Sequence, residues 1–543
     1  MQVQRRQFID IPAREERRTL PELLRDAFYV VIALSIIGYF GYKYSSKLKL
    51  FNDRLNVTVA PFDPATVKPP VLPDLAPFTT ENIIKKIRPP APGKIVVNDM
   101  TAYPEFSEFM EDDAPRRLRL LQHRINPQAI VIESGHYTLT QLYEEIHKDD
   151  PESKMIVKLE GNKYLLRMPL GVLIGASLVI SDQDTPELLL SKQANAFLVN
   201  GGDMFIIKTT VKGWDEVKNA PTKYIDKVDY RPFITSWGGG GLYIASSRIE
   251  SLGYLKGKSY GVSYSACTSC LKVNPFLPHA TGANVDSYFT DMFYGFYSYE
   301  AYDVAIVNNV YEDNVIYAID PHDRSRRLII ANNKTFGTHY KHGIIVSREV
   351  NDSWIFGNHT HHNKGSGIMI DRLSRNNVIA NNLSEDNEQD GLTYFESQDN
   401  ISWGNIFRNN KRNGILARNS WNIKSYNDDI LMNGGVAVEA YSVNLVGKEL
   451  HRDFELDPFT QKADIALYGA KIKTNGSAVF KFVDTDYLDL SNVDISSGAS
   501  LFPPAFVYDS GLIYEKIKNP KVSVRVETGF KSTDTVKFPT KFE

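Results

Sequence analysis

From about residue 300 onward the chain repeats itself. A glycine leading a short, largely apolar run occurs at Gly343-Ile344-Ile345-Val346, Gly367-Ile368-Met369-Ile370, Gly391-Leu392-Thr393-Tyr394, Gly414-Ile415-Leu416-Ala417 and Gly435-Val436-Ala437-Val438, at steps of 24, 24, 23 and 21 residues. Asn309, Asn333, Asn358, Asn382 and Asn405 keep the same rhythm, at steps of 24, 25, 24 and 23. Every repeat contains short β-rich runs such as LIIANN, WIFGN, NVIANN and ISWGN. No repeat leaves room for a helix of about ten residues beside two strands, whereas one coil of three short strands and their turns fits. Stacked coils of that size predict an all-β chain, a right-handed parallel β-helix in which each rung buries its neighbour's apolar edge. The asparagines are expected to stack in a turn, where the amide tolerates left-handed backbone and bonds to the next rung. Leucine-rich repeats have a similar period, but their leucine consensus is absent.

Outside the regular region the pattern loosens. Residues 129–142, 164–182 and 196–216 read as irregular earlier rungs, and 463–495 as later strands. The amphipathic stretch FSEFMEDDAPRRLRLLQHRI, Phe106 to Ile125, is expected to form a helix over the open N-terminal end. YEKIKNPKVSVRVETG, Tyr514 to Gly529, is expected to cap the other end, where a bare last rung exposes unpaired backbone groups. The β-helix is therefore placed at 96–480 and a β-rich cap at 481–543.

Ala27 to Tyr42 carries no charge and is preceded by arginines at 5, 6, 14, 17, 18 and 25. This predicts a cytoplasmic tail over 1–26 and an uncleaved transmembrane anchor over 27–44. Nine prolines between Pro61 and Pro92 predict an extended spacer over 45–95, holding the body off the membrane. Apolar residues make up 42% and charged residues 23%, the balance of a folded chain. A net charge of −3 gives no global field, so a polyanionic ligand needs a local basic patch, and no nucleic-acid partner is expected. The only cysteines, Cys267 and Cys270, form a CxxC without a second pair. They read as structural or incidental, with a disulfide if the compartment is oxidising. His359 to His362, HTHH, lacks the partners of a metal site and reads as solvated turn histidines.

The densest chemistry is VIYAIDPHDRS, Val315 to Ser325. Pro321 cannot donate a ladder hydrogen bond, so the strand should end there and His322 turn to solvent. Laying Tyr317–His322 over Gly343–Arg348, an offset of 26, puts His322, Arg348, Arg372, Glu396 and Asn419 on successive rungs. His322 can take a proton from carbon near neutral pH. Arg348 can neutralise an adjacent carboxylate. Asp320 or Asp323 can hold the imidazole tautomer. Arg324, Arg326, Arg327, Lys334, Lys341, Arg372 and Arg375 make the region basic. Of the binding candidates Arg324, Lys341, Arg372 and Glu396, the last two either meet the substrate or pair with each other. The reaction class is proton abstraction α to a carboxylate, on a uronic acid within an anionic polysaccharide.

DPHD at Asp320–Asp323, the arginine in GIIVSREV and SWGGGGLYIASSRIESLGY at Ser236–Tyr254 closely resemble the periplasmic mannuronan C5-epimerases of bacterial alginate biosynthesis. The resemblance covers most of the chain after about residue 95. It implies that His322 is the base, Arg348 the carboxylate neutraliser, and that a water returns the proton on the opposite face. The secreted, calcium-dependent epimerases share Tyr-x-x-Asp-Pro-His, here Tyr317, Asp320 and His322, which makes Tyr317 a candidate proton donor or acceptor. Their calcium-binding nonapeptides are absent, so no calcium or other cofactor is expected. The resemblance also implies a periplasmic enzyme that acts on polymannuronate and docks with other alginate synthesis and export proteins; the anchor adds attachment to the inner membrane, where family members usually carry a cleaved export signal. A polyuronate lyase shares the carbanion, and a non-catalytic polymer-binding sleeve is a third reading; only the resemblance favours epimerisation.

Overall fold

Three parallel sheets, hydrogen-bonded coil to coil, run the length of the molecule. The computed structural model describes residues 55–529 apart from 111–112, 450–451, 474–475, 477, 497 and 504–509. The expected tail and transmembrane segment at 1–44 lie outside the described residues, and among the described residues no helix is long and apolar enough to cross a membrane. The first sheet starts at His136–Thr138, the second at Ile95–Asp99 and Gln128–Ile132, and the third at Ile156–Leu159 and Lys163–Leu166. In the regular region each coil contributes one short strand to each sheet, for example Ile344–Ser347, Trp354–Phe356 and His359–His361. The solenoid expected from the 24-residue rhythm is therefore present.

The asparagine column does what its spacing predicts. The backbone N–H and side-chain Nδ2 of Asn309 both donate to Asn333 Oδ1, at 3.0 Å each. Asn333 repeats the pair with Asn358 at 2.9 and 3.0 Å, and Asn358 with Asn382 at 3.0 and 2.9 Å. Each Nδ2 also reaches a carbonyl of the preceding coil, as Asn358 does at Ile330 O, 2.9 Å. All these amides are buried. A second column, Asn363, Asn387, Asn410 and Asn433, is built in the same way. Buried polar groups at the corners are thus satisfied by the next rung.

The proline-rich stretch differs from the expected free spacer. Asn56–Pro61 pairs antiparallel with Val522–Glu527, which pairs antiparallel with Tyr487–Ser491 at the C-terminal end of the first sheet. The chain then runs over the outer face of that sheet as a strap. Leu72, Leu75, Phe78, Ile83 and Ile87 pack against Phe205, Ala245, Ala305, Ala331 and Phe356. Thr80 Oγ1 donates to Asp286 at 2.8 Å, and Arg88 pairs with Asp203 at 2.5 Å. The prolines keep the backbone extended, but the apolar residues between them have a sheet to cover, and burial holds the segment down.

The helix expected over the N-terminal end is also displaced. Pro104–Met110 is a 3₁₀ turn and Asp113–Gln122 an α-helix. Phe106, Phe109 and Leu118 lie against Phe197, Phe233 and Trp237 on the outer face of the second sheet. Gly171 makes room for the Phe106 ring, which stands 2.7 Å from where a Cβ would be. The first coil instead holds the helix Leu139–Asp149, opened by a Thr138/Gln141 capping box, with Leu139, Leu142 and Ile146 buried. Cys267 and Cys270 are joined to each other in a disulfide at the start of the short helix Thr268–Val273, which follows strand Gly261–Ser265 of the second sheet.

Asn358→Ala interrupts the ladder in mid-column, removing the acceptor of two Asn333 N–H groups and the side-chain donor to the Ile330 carbonyl. It is expected to destabilise the chain by about 2–3 kcal/mol. Urea denaturation followed by circular dichroism measures this, and an unchanged midpoint would contradict it.

Candidate active site

Strand Tyr317–His322 lies in the second sheet, between Tyr294–Tyr299 and Ile344–Ser347. The observed register corrects the expected one by a residue. Ile319 pairs with Ile344 and His322 with Ser347, so Asp323, not His322, stands level with Arg348. The reason is side-chain alternation: Ile319 and Ile344 both point into the core, and a one-residue slip would turn one of them outward. His322 and Arg348 are diagonal neighbours, with Asp323 between them. From Arg348 onward the expected column holds, because Ser347 pairs with Asp371 and Asp371 with Phe395.

The column Asp323, Arg348, Arg372, Glu396 and Asn419 has left-handed backbone at every position, with φ of 36°, 63°, 46°, 47° and 48°. At another corner the equivalent column is Asn308, Asn332, Gly357, Asn381 and Gly404, residue types that favour this conformation. Charged side chains take this backbone elsewhere too, as Asp303, Arg327, Asp352 and Asp399 do at a further corner.

His322 Nδ1 bonds Asp323 Oδ2 at 2.5 Å, and Asp323 Oδ1 lies 3.6 Å from Arg348 Nη1. Burial works against charge on the imidazole. The Asp323 hydrogen bond and the nearby Asp320 and Asp323 carboxyls outweigh it, and the His322 pKa is raised. Burial likewise opposes ionisation of Asp323, but His322, Arg348 and Arg324 win and hold its pKa low. Asp320 is 2% exposed, and its Oδ1 has no hydrogen-bond partner among the described residues. Burial pushes its pKa up to about 7. Asp320 therefore does not hold the imidazole; Asp323 does. Tyr294 pairs with Tyr317, and Tyr297 with Asp320. The Tyr297 ring lies 5.9 Å from His322, and Tyr260 stacks on Tyr294 at 4.9 Å. Burial raises the pKa of all four tyrosines, so these phenols remain protonated donors.

A cleft of about 310 Å³ continues from Tyr317 down the same sheet, lined by Lys341, Asp371, Arg372, Arg412, Arg418 and Glu449 among others. Lys341, Arg372 and Tyr317 thus share one cleft. Arg324 is matched by Glu300 at 2.6 Å. Glu396 is not a ligand contact: its side chain is 0% exposed and accepts from Arg418 at 2.8 Å and Arg452 at 2.9 Å. Nor does it pair with Arg372, which donates to Asp457 at 2.8 Å. Asp457, Arg412, Arg418 and the upstream tyrosines were not among the residues singled out from the sequence. The signal for Asp457 is the long interval between strands Val438–Tyr441 and Asp464–Tyr468, rich in charge and aromatics, where the rhythm breaks. His359 pairs with Glu385 at 2.8 Å on the third sheet, away from this site.

Together these features define a solenoid whose flank carries an imidazole, a guanidinium and a cleft lined by cations and acids together. The comparisons with known proteins agree on the class. The family described as "Periplasmic copper-binding protein (NosD)" matches residues 232–437, the region of regular coils. Among the described residues no group of three or more His, Cys, Asp or Glu is placed to hold a metal ion. The mannuronan C5-epimerase of Pseudomonas putida is 42% identical over 78% of this chain and 80% of its own length. The mannuronan C5-epimerase AlgG of Azotobacter vinelandii is 39% identical over 83% and 85%. The crystal structure of the periplasmic alginate epimerase AlgG superposes with a TM-score of 0.73 at 38% identity, covering 79% of this chain and 99% of that one. The chain belongs to the mannuronan C5-epimerase family.

The raised His322 pKa has a consequence for stability. The contribution of this group is fully present below the ordinary imidazole value of about 6.5 and is lost as pH rises through the raised value. Asp323→Asn removes the negative charge that favours the imidazolium. It is expected to lower the His322 pKa, and an NMR titration of the imidazole that stays in place would contradict the pairing.

Proposed function

We propose that His322, Asp323 and Arg348 carry out the epimerisation of β-D-mannuronate to α-L-guluronate within polymannuronate, with the polymer lying along the second sheet. The observation that carries this reading is the His322–Asp323–Arg348 chain, whose strand also supplies Tyr317 to the lining of the cleft. Neutral His322 takes the C5 proton through Nε2, while Asp323 holds Nδ1 and stabilises the imidazolium that forms. The electron pair left at C5 delocalises into the carboxylate, which then carries two negative charges. Arg348, with 38% of its side chain exposed, hydrogen-bonds that group as the charge develops. Its contacts to Asp323 and Asp457 are both 3.6 Å, too long to occupy its donors. A proton delivered to the opposite face of C5 inverts the centre. It comes from Tyr317, whose phenol stays protonated, or from a water in the cleft. Lys341, Arg372, Arg412 and Arg418 are the cations of the cleft lining and meet neighbouring uronates there, among Asp371, Asp390 and Glu449, while Arg324 lies outside the lining.

The reading places the solenoid in the periplasm, supported by the periplasmic relative of known structure and by the Cys267–Cys270 disulfide, a bond that persists in oxidising compartments. Attachment to the inner membrane through 27–44, docking with other synthesis and export proteins, and independence from calcium and other cofactors belong to the same proposal.

His322→Ala and Arg348→Ala are each expected to lower kcat by about 10²–10⁴-fold. Proton NMR of polymannuronate incubated with the enzyme in deuterated water measures guluronate and label at C5. Undiminished guluronate in either variant would overturn the assignment, and an absorbing unsaturated uronate in place of guluronate would mark a lyase. Tyr317→Phe separates the two proton sources: a loss comparable to His322→Ala assigns the phenol, and retained turnover assigns water. Because only neutral imidazole is a base, kcat/KM is expected to rise with pH through a value above about 6.5.

A further inference from the structure

Between Tyr441 and Asp464 the chain leaves the coil and returns along the outer face of the second sheet. It is pinned at several points. Asn419 Nδ2 donates to Val443 O at 2.8 Å, and Val443 N donates to Asn419 Oδ1 at 2.7 Å. Leu445 and Phe459 are buried. Arg452, its side chain 2% exposed, bonds Glu396 and the Asp457 carbonyl and lies over the rings of Phe454 and Phe459. The excursion thereby carries Asp457 back to the coils of Arg372 and Arg348. Asp457 Oδ2 accepts from Arg372 Nη1 at 2.8 Å and stands 3.6 Å from Arg348 Nη2.

Arg348 and Arg372 are like charges on adjacent rungs, roughly 4.8 Å apart along the stack. Either could seize a uronate carboxylate, but only Arg348 stands beside His322. We propose that Asp457 is a positioning residue that sets the register of the polymer. It matches the charge of Arg372 closely and that of Arg348 loosely, so that the carboxylate of the reacting sugar goes to Arg348. Without Asp457, Arg372 captures the carboxylate one coil too far along, and C5 lies out of reach of the imidazole. This inference rests on the His322/Arg348 site proposed above.

The test uses the full chain with polymannuronate and guluronate NMR. Asp457→Asn is expected to lower kcat and KM together, on the order of tenfold, because misregistered binding is tight and unproductive. Adding Arg372→Gln to Asp457→Asn is expected to restore kcat to within about threefold, which simple loss of structure would not do. Arg372→Gln alone is expected to raise KM, because Asp457 then closes on Arg348 and competes with the substrate. If Asp457→Asn fails to fold, the KM of Arg372→Gln decides. An unchanged KM there, an unchanged kcat in Asp457→Asn, or a double variant no better than Asp457→Asn would overturn the proposal. If Arg348→Ala abolishes turnover while these variants behave as wild type, the site stands and the register role falls.

Discussion

The contacts that bring His322, Asp323 and Arg348 together are made across the hydrogen-bonded step from one coil to the next. Parallel pairing in the second sheet brings residues some two dozen positions apart in sequence within side-chain reach. It also fixes which face each side chain takes, since a slip of one residue exchanges inside for outside. The core isoleucines therefore determine how an imidazole and a guanidinium meet. Ile319 against Ile344 places Asp323 beside Arg348 and His322 diagonal to it, and the carboxylate between them bonds one and faces the other.

Much of this was legible in the sequence, for a physical reason. Glycine and asparagine at fixed steps mark corners, where special backbone conformations and buried amides are needed, so the coil can be counted directly. The DPHD cluster can be placed at a strand end because proline lacks a donor. The pairing itself is less legible. Aligning Tyr317 with the repeat glycine follows the motif, whereas the molecule follows the inward isoleucines. Glu396 escapes a reading by repeats because its partner Arg452 belongs to the excursion, which has no counterpart in other coils. The proline-rich strap resembles a free spacer because extended composition looks the same whether it is solvated or laid on a sheet. Only the apolar residues between the prolines distinguish the two cases.

Charge along the site is arranged in alternation. Glu300 answers Arg324, Asp323 faces Arg348, Asp457 holds Arg372, and Glu396 joins Arg418 to Arg452. A slightly acidic chain in this way carries a row of arginines without leaving a stack of like charges unsupported. What distinguishes Arg348 is the looseness of its matches: both carboxylates stand beyond hydrogen-bond length. Asp320, by contrast, is an acid whose pKa burial pushes up to about 7, close to His322 but not bonded to it.

The antiparallel pairing of Asn56–Pro61 with Val522–Glu527 brings the two ends of the described chain to the same pole of the solenoid. Val522–Glu527 covers the edge that Tyr487–Ser491 would otherwise leave open, and Asn56–Pro61 lies outside it as the last strand of the first sheet. Fraying of the sheet at this pole therefore requires two segments from opposite ends of the described chain to part together.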